Sequence, residues 1–136
     1  MATIQRIEDL EVWKLARELA LEIYNATLKG TFANDNDLKW QIRKSSGSAM
    51  DNIAEGFERD GKKEFIQFLS ISKGSVGESR SQLYRALDRK HLTQLEFDEL
   101  FNKTTQLSKK IAAFINYLKG NEYKGLKFKE DSQPET

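Results

Sequence analysis

Apolar side chains recur at steps of three and four along most of this chain, and four separate runs of that spacing can be followed. The first comprises Leu10, Trp13, Ala16, Ala20, Ile23 and Thr27, widened by Val12, Leu15 and Leu19; Glu8, Asp9 and Glu11 stand where a helix N-terminus favours anions. This predicts a helix over about residues 8–28. After "LKGTFANDND", whose Gly30 breaks the pattern, Leu38, Ile42, Ser45, Ala49, Ile53 and Phe57 predict a second helix over about 37–58, capped by Asn36 or Asp37. A third run, Phe65, Phe68, Leu69, Ser72, Val76, Ser79, Leu83, Ala86 and Leu87, predicts a long helix over about 62–90. The fourth is the clearest: Thr93 and Glu96 spell a capping box, and Phe97, Leu100, Thr104, Leu107, Ile111, Phe114 and Leu118 keep unbroken spacing over about 94–119.

Four amphipathic segments cannot each bury a stripe alone, so the expected fold is all-α, an antiparallel up-down-up-down four-helix bundle filling residues 1–120. Gly74 and Gly77 in the third helix each cost about 1 kcal/mol against Ala, and close approach of a neighbouring backbone is the expected compensation. Gly56 is read as the end of helix two and Gly61 as the entry to helix three. The remaining stretch, 121–136, is read as a polar, flexible tail. Its alternative is an arm in which Tyr123, Leu126 and Phe128 dock on a neighbour or stack on unpaired bases.

Composition narrows the picture. At 136 residues the chain makes one domain, and 38% hydrophobic with 32% charged residues fits a soluble helical protein. No run reaches the ~20 apolar residues of a membrane span and "MATIQRIEDL" lacks a signal-peptide core, so a cytoplasmic location is expected. Without cysteine there is no disulfide or thiolate chemistry. The net charge is only +1, but it is sorted: residues 1–38 carry four basic and seven acidic side chains, and residues 62–91 seven basic and three acidic. Residues 103–129 carry seven basic side chains and one acidic. Such sorting fits a solvated helix face or a partner surface of opposite sign.

"GFERDGKK", residues 56–63, carries the G-x-x-x-x-G-K spacing of a phosphate-binding loop, but the preceding stretch reads as helix and Lys63 fills the magnesium-binding Ser/Thr slot. Nucleotide binding is therefore not expected. His91 is the sole histidine and no E-x-x-H occurs, which leaves no metal site to build; it is read as a corner residue at the end of helix three. Glu55, Glu64 and Glu78, with Arg43, Lys73 and Arg80 available, are read as ion pairs that fix helix register. No residues supply a nucleophile, a base and an electrophilic stabiliser together, so no enzyme, cofactor or small-molecule substrate is expected.

Residues 41–83, "QIRKSSGSAMDNIAEGFERDGKKEFIQFLSISKGSVGESRSQL", resemble the 23S rRNA intervening-sequence protein family, bacterial four-helix-bundle proteins encoded within large-subunit ribosomal RNA genes. "IEDLEVWKLARELALEIY" fits the same family. The matching positions are Asn52, Ile53, Ala54, Glu55 and Gly56, followed by Glu64, Phe65, Gly74, Ser75 and Glu78, all read as structural. The chain departs from the family in having "SAMD" where members carry a proline. The resemblance implies an all-helical subunit in a ring-shaped homopentamer. It also implies distant similarity to the accessory proteins of diversity-generating retroelements, which are basic partners of a reverse transcriptase and its nucleic acid.

Trp13, Trp40, Phe57 and Phe68 exceed what one bundle needs, which independently favours association, and an acidic helix one against basic helices three and four suits a head-to-tail ring. The leading functional reading is a non-enzymatic oligomer that binds RNA or a ribonucleoprotein. Its candidate contacts are Lys62, Lys63, Lys73, Arg80, Arg85, Arg89 and Lys90, with Lys103, Lys109 and Lys110 on helix four. The rival is a protein-binding scaffold with no nucleic-acid contact, built around a groove at Trp13 or Trp40.

Overall fold

The structure, a computed structural model, describes residues 4–120. Helices α1 (Glu11–Thr27), α2 (Asn36–Glu58), α3 (Lys62–Asp88) and α4 (Gln94–Lys119) make up nearly all of it, with two short 3-10 helices, Ile7–Asp9 and Gly30–Asn34, and no strand among the described residues. The tail expected at 121–136, with Tyr123, Leu126 and Phe128, lies outside the described residues.

Each helix turns its periodic stripe inward, and the stripes meet in one core. Ile23, Ile42, Ala49, Ile53, Phe65, Leu69, Val76, Leu83, Leu107, Ile111 and Phe114 are all at most 1% exposed. Phe65 meets Phe57 and Phe114 edge-on, with ring centroids 6.1 and 5.5 Å apart. α2 and α3 are the most intimate pair, joined by a polar seam. The Ser45 hydroxyl lies 2.8 Å from that of Ser79 and donates to Gln82 Oε1 at 2.6 Å. Ser48 and Ser75 hydroxyls pair at 3.0 Å, and Ser72 donates to the Ala49 carbonyl at 2.6 Å. Partner numbers fall along α3 as they rise along α2.

The helix ends depart from expectation in instructive ways. Residues 7–9 form their own 3-10 turn, and the extended backbone of Leu10 (φ −77°, ψ 123°) separates it from α1 while Leu10 itself is fully buried. The cap of α2 is Asp35, whose carboxylate accepts from the Leu38 N–H at 3.2 Å, ahead of the expected Asn36 or Asp37. At α4 both bonds of the capping box form: Thr93 Oγ1 accepts from the Glu96 N–H at 3.1 Å, and Glu96 Oε1 from the Thr93 N–H at 2.8 Å. The α1–α2 connection is more than a break, because Gly30 (φ +52°) turns the chain so that Phe32 is fully buried.

Candidate functional site

Five of the ten cations proposed as phosphate contacts, Lys103, Lys110, Arg89, Arg85 and Arg80, are engaged inside the fold. Lys103 reaches from α4 to Glu18 (2.6 Å) and Glu22 (3.0 Å) on α1, and Lys110 to Glu11 (2.6 Å). Arg89 binds Asp35 at 2.7 Å. Arg85 donates to Gln41 at 2.9 Å, with Asp37 at 3.9 Å. Arg80 lies over the Phe101 ring, 4.6 Å from its centroid, and contacts Thr105 at 3.4 Å. The hydrogen bond from Lys103, reinforced by its charge, holds the Glu18 carboxyl below its ordinary range; the bonds to Glu18 and Glu22 raise Lys103. The acidity of α1 is thus spent on α4 of the same chain. Lys63, Lys73, Lys90 and Lys109 stay exposed and form no ion pair among the described residues, while Lys62 is half-buried at the start of α3.

The motif positions divide by environment. Ile53 and Phe65 are core, Ala54 packs against it, and Ser75 belongs to the seam. Asn52 donates to the Ser48 carbonyl at 2.8 Å and to the Ser48 hydroxyl at 2.9 Å, which orients the seam. Gly56 does not end helix two: α2 continues to Glu58, and a Cβ at Gly56 would stand 2.6 Å from Phe68 Cβ and 3.0 Å from Phe65 Cδ1. The close approach expected at Gly74 and Gly77 is found here instead, since a Cβ at either of those would have nothing within 4 Å. Gly61 does begin α3, with the Glu64 carboxylate folded back against it.

The expected ion pairs of Glu55, Glu64 and Glu78 with Arg43, Lys73 and Arg80 are absent among the described residues. All three carboxylates are exposed, and Glu55 pairs with Arg59 at 2.9 Å. Register is held by hydroxyls instead. Of the four aromatics expected in surplus, Trp13 (9% exposed) and Phe57 (1%) are buried and Phe68 is half-buried; only Trp40, at 62%, faces outward.

His91 is tied more tightly than a corner residue. Its side chain is 8% exposed, stacks on Phe32 (5.0 Å between centroids), and places Nδ1 2.8 Å from Thr31 Oγ1 and Nε2 2.8 Å from Asp35 Oδ2. The hydrogen bond to His91, with Arg89 second, holds the Asp35 carboxyl far below the usual carboxylate range. The cluster pins the α1–α2 connection to the α3–α4 corner, where Lys90 takes a left-handed φ of 62°. Among the described residues no group of three or more His, Cys, Asp or Glu is placed to hold a metal ion. Residues 56–63 join two helices, so the backbone geometry of a phosphate loop is missing.

One surface was not read from the sequence as a unit. Leu21 (59% exposed) and Tyr24 (46%) lie on α1 with Leu28 (54%) at its C-cap, and Tyr24 and Trp40 of α2 flank the Arg43 guanidinium. The signal was present as a second 3,4 repeat offset from the core stripe.

A family model described as 23S rRNA-intervening sequence protein matches residues 8–113. Among solved structures, the fold is similar to a crystal structure of a protein with unknown function from the S23 ribosomal protein family of Bacteroides thetaiotaomicron. The TM-score is 0.67 at 22% identity, covering 76% of this chain and 97% of that one. No curated protein matches.

Proposed function

The chain belongs to the 23S rRNA-intervening sequence protein family, and from that premise we propose that it acts without catalysis, as an oligomer that binds RNA or a ribonucleoprotein. In this reading the subunit is an antiparallel up-down-up-down bundle, assembled as a ring of five in the cytoplasm. No helix among the described residues is long and apolar enough to cross a membrane. The single observation that carries the reading is what internal pairing leaves over. Lys63, Lys73, Lys90 and Lys109 on α3, its C-terminal corner and α4 remain exposed without a carboxylate, a set suited to phosphates that position a ligand without specifying its sequence.

Fluorescence anisotropy with a structured ribosomal RNA fragment tests it. Affinity should fall steeply with salt, and Lys63→Glu/Lys73→Glu/Lys109→Glu should flatten the slope of log affinity against log salt by about 2 to 3. Absence of binding at low ionic strength, or a slope the triple variant leaves unchanged, would refute the proposal. A second reading, a protein-binding scaffold, is favoured by Tyr84 (50% exposed) and Leu95 (68%) at the α3–α4 end. Co-purification of one stoichiometric protein, with no nucleic-acid absorbance, would support it.

A further inference from the structure

The RNA reading makes no use of Arg43. Arg43, on α2, has a guanidinium carbon 4.5 Å from the centroid of the Tyr24 ring and 5.2 Å from that of Trp40. Its Nε donates to Thr27 Oγ1 at 2.8 Å, and Thr27, fully buried, is itself anchored by a 2.6 Å bond to the Tyr24 carbonyl. The guanidinium is therefore fixed from behind. Yet no carboxylate stands within ion-pair distance among the described residues, whereas Arg59, Arg85 and Arg89 each have one within 4.0 Å.

The surroundings repeat the pattern. Lys39 lies over the Trp40 ring, 5.8 Å from its centroid, held by donation to the Ala33 carbonyl at 2.9 Å. Lys44, which lines one cleft with Arg43, is exposed and forms no ion pair among the described residues. Of the acids on α2, Asp37 is bonded to Gln41 with Arg85 at 3.9 Å and Glu55 is paired with Arg59, while Asp51 lines the same cleft as Arg43 and Lys44 without an ion pair to either. Two outward aromatic rings, a cation held against both, and Lys39 and Lys44 beside them form one surface.

We propose that Tyr24, Arg43 and Trp40 form a seat for an unpaired nucleobase of single-stranded RNA, with Lys39 and Lys44 set for the adjoining phosphates. The inference rests on the RNA-binding reading and gives it a second, chemically distinct site on α1 and α2. Exposed aromatic faces accept any base by stacking, and a planar guanidinium extends the stack while donating to phosphate. A duplex keeps its bases inside and cannot use the rings. A ring-stacked guanidinium with no ion-pair partner favours an anionic ligand over a purely apolar one.

The test compares a single-stranded oligonucleotide of mixed sequence with a duplex of the same length, using wild type and Trp40→Leu. Because Trp40 is exposed, Trp40→Leu should keep its circular dichroism spectrum. It should bind the single strand about tenfold more weakly, an effect within the range for loss of one stacked base, and bind the duplex unchanged. Tryptophan emission gives an independent readout: the chain has two tryptophans, and Trp13 is 9% exposed, so quenching by the single strand should disappear in Trp40→Leu. Equal single-strand binding by both proteins, with intact salt dependence, would overturn the seat while leaving the RNA reading standing. Failure of wild type to bind either oligonucleotide or the structured fragment would overturn both. If Trp40→Leu instead changes the sedimentation coefficient and leaves RNA affinity alone, the face is a protein contact and the seat is refuted.

Discussion

Replacing Gly56, Gly74 and Gly77 by alanine should have opposite effects on stability, although all three lie inside helices. A methyl at Gly56 would meet Phe68 Cβ at 2.6 Å and Phe65 Cδ1 at 3.0 Å. Phe68 Cβ is fixed to its backbone, and Phe65, fully buried between Phe57 and Phe114, cannot swing away. Overpacking of this kind costs about 1–3 kcal/mol, against which alanine returns up to ~1 kcal/mol of helix propensity. Gly56→Ala is therefore expected to lose about 1–2 kcal/mol net. At Gly74 and Gly77 nothing lies within 4 Å, so each alanine should gain about 0.5–1 kcal/mol. Urea unfolding followed by far-ultraviolet circular dichroism measures all three, with an unchanged m-value certifying that the two end states are the same. A neutral or stabilised Gly56→Ala would refute the close approach of α2 to α3. A destabilised Gly77→Ala whose loss grows with protein concentration would mean that another chain covers this face.

The seam and the corner cluster yield two further predictions. Ser45→Ala leaves Gln82 Oε1 and the Ser79 hydroxyl without their shared partner and should cost about 1–3 kcal/mol. Ser46→Ala removes a hydroxyl bonded only to the Ile42 and Arg43 carbonyls of its own helix, and should stay within ~0.5 kcal/mol in the same unfolding assay. For Asp35, the folded carboxyl is held below its unfolded value of about 3.9, so its contribution is complete above that value and is lost as pH falls toward the folded one. The stability difference between wild type and Asp35→Ala should be full above about pH 5 and shrink below about pH 4; a difference unchanged at pH 3 would contradict the tie to His91 and Arg89.

Much of the fold was legible because hydrophobic spacing is a local property. The four runs of 3,4 repeats and the Thr93/Glu96 box translate directly into helices, and the residues singled out as stripes from Ile23 to Leu118 become buried, except Phe68 and Leu87, which are half-buried. What escaped depended on where the other helices fall. Gly56, Gly74 and Gly77 look alike in sequence, and only the position of Phe65 and Phe68 decides which one lacks room. Which cations are paired within the fold is hidden for the same reason: Lys103 and Lys110 face Glu18, Glu22 and Glu11, which are distant along the chain. Arg43 was assigned to a carboxylate because charge is visible in a sequence, whereas its flanking rings, Tyr24 and Trp40, come together only when α1 and α2 pack.

The hydroxyl contacts between α2 and α3 act as the teeth of a vernier. Sliding one rod past the other by a single turn, about 5.4 Å, would keep grease against grease but strand Ser45, Ser72, Ser79 and Gln82 away from their mates. Greasy surfaces alone would tolerate that error; these teeth do not. The hairpin of α2 and α3 therefore has one setting, and any rearrangement on meeting a ligand must carry the two helices together as a single rigid piece.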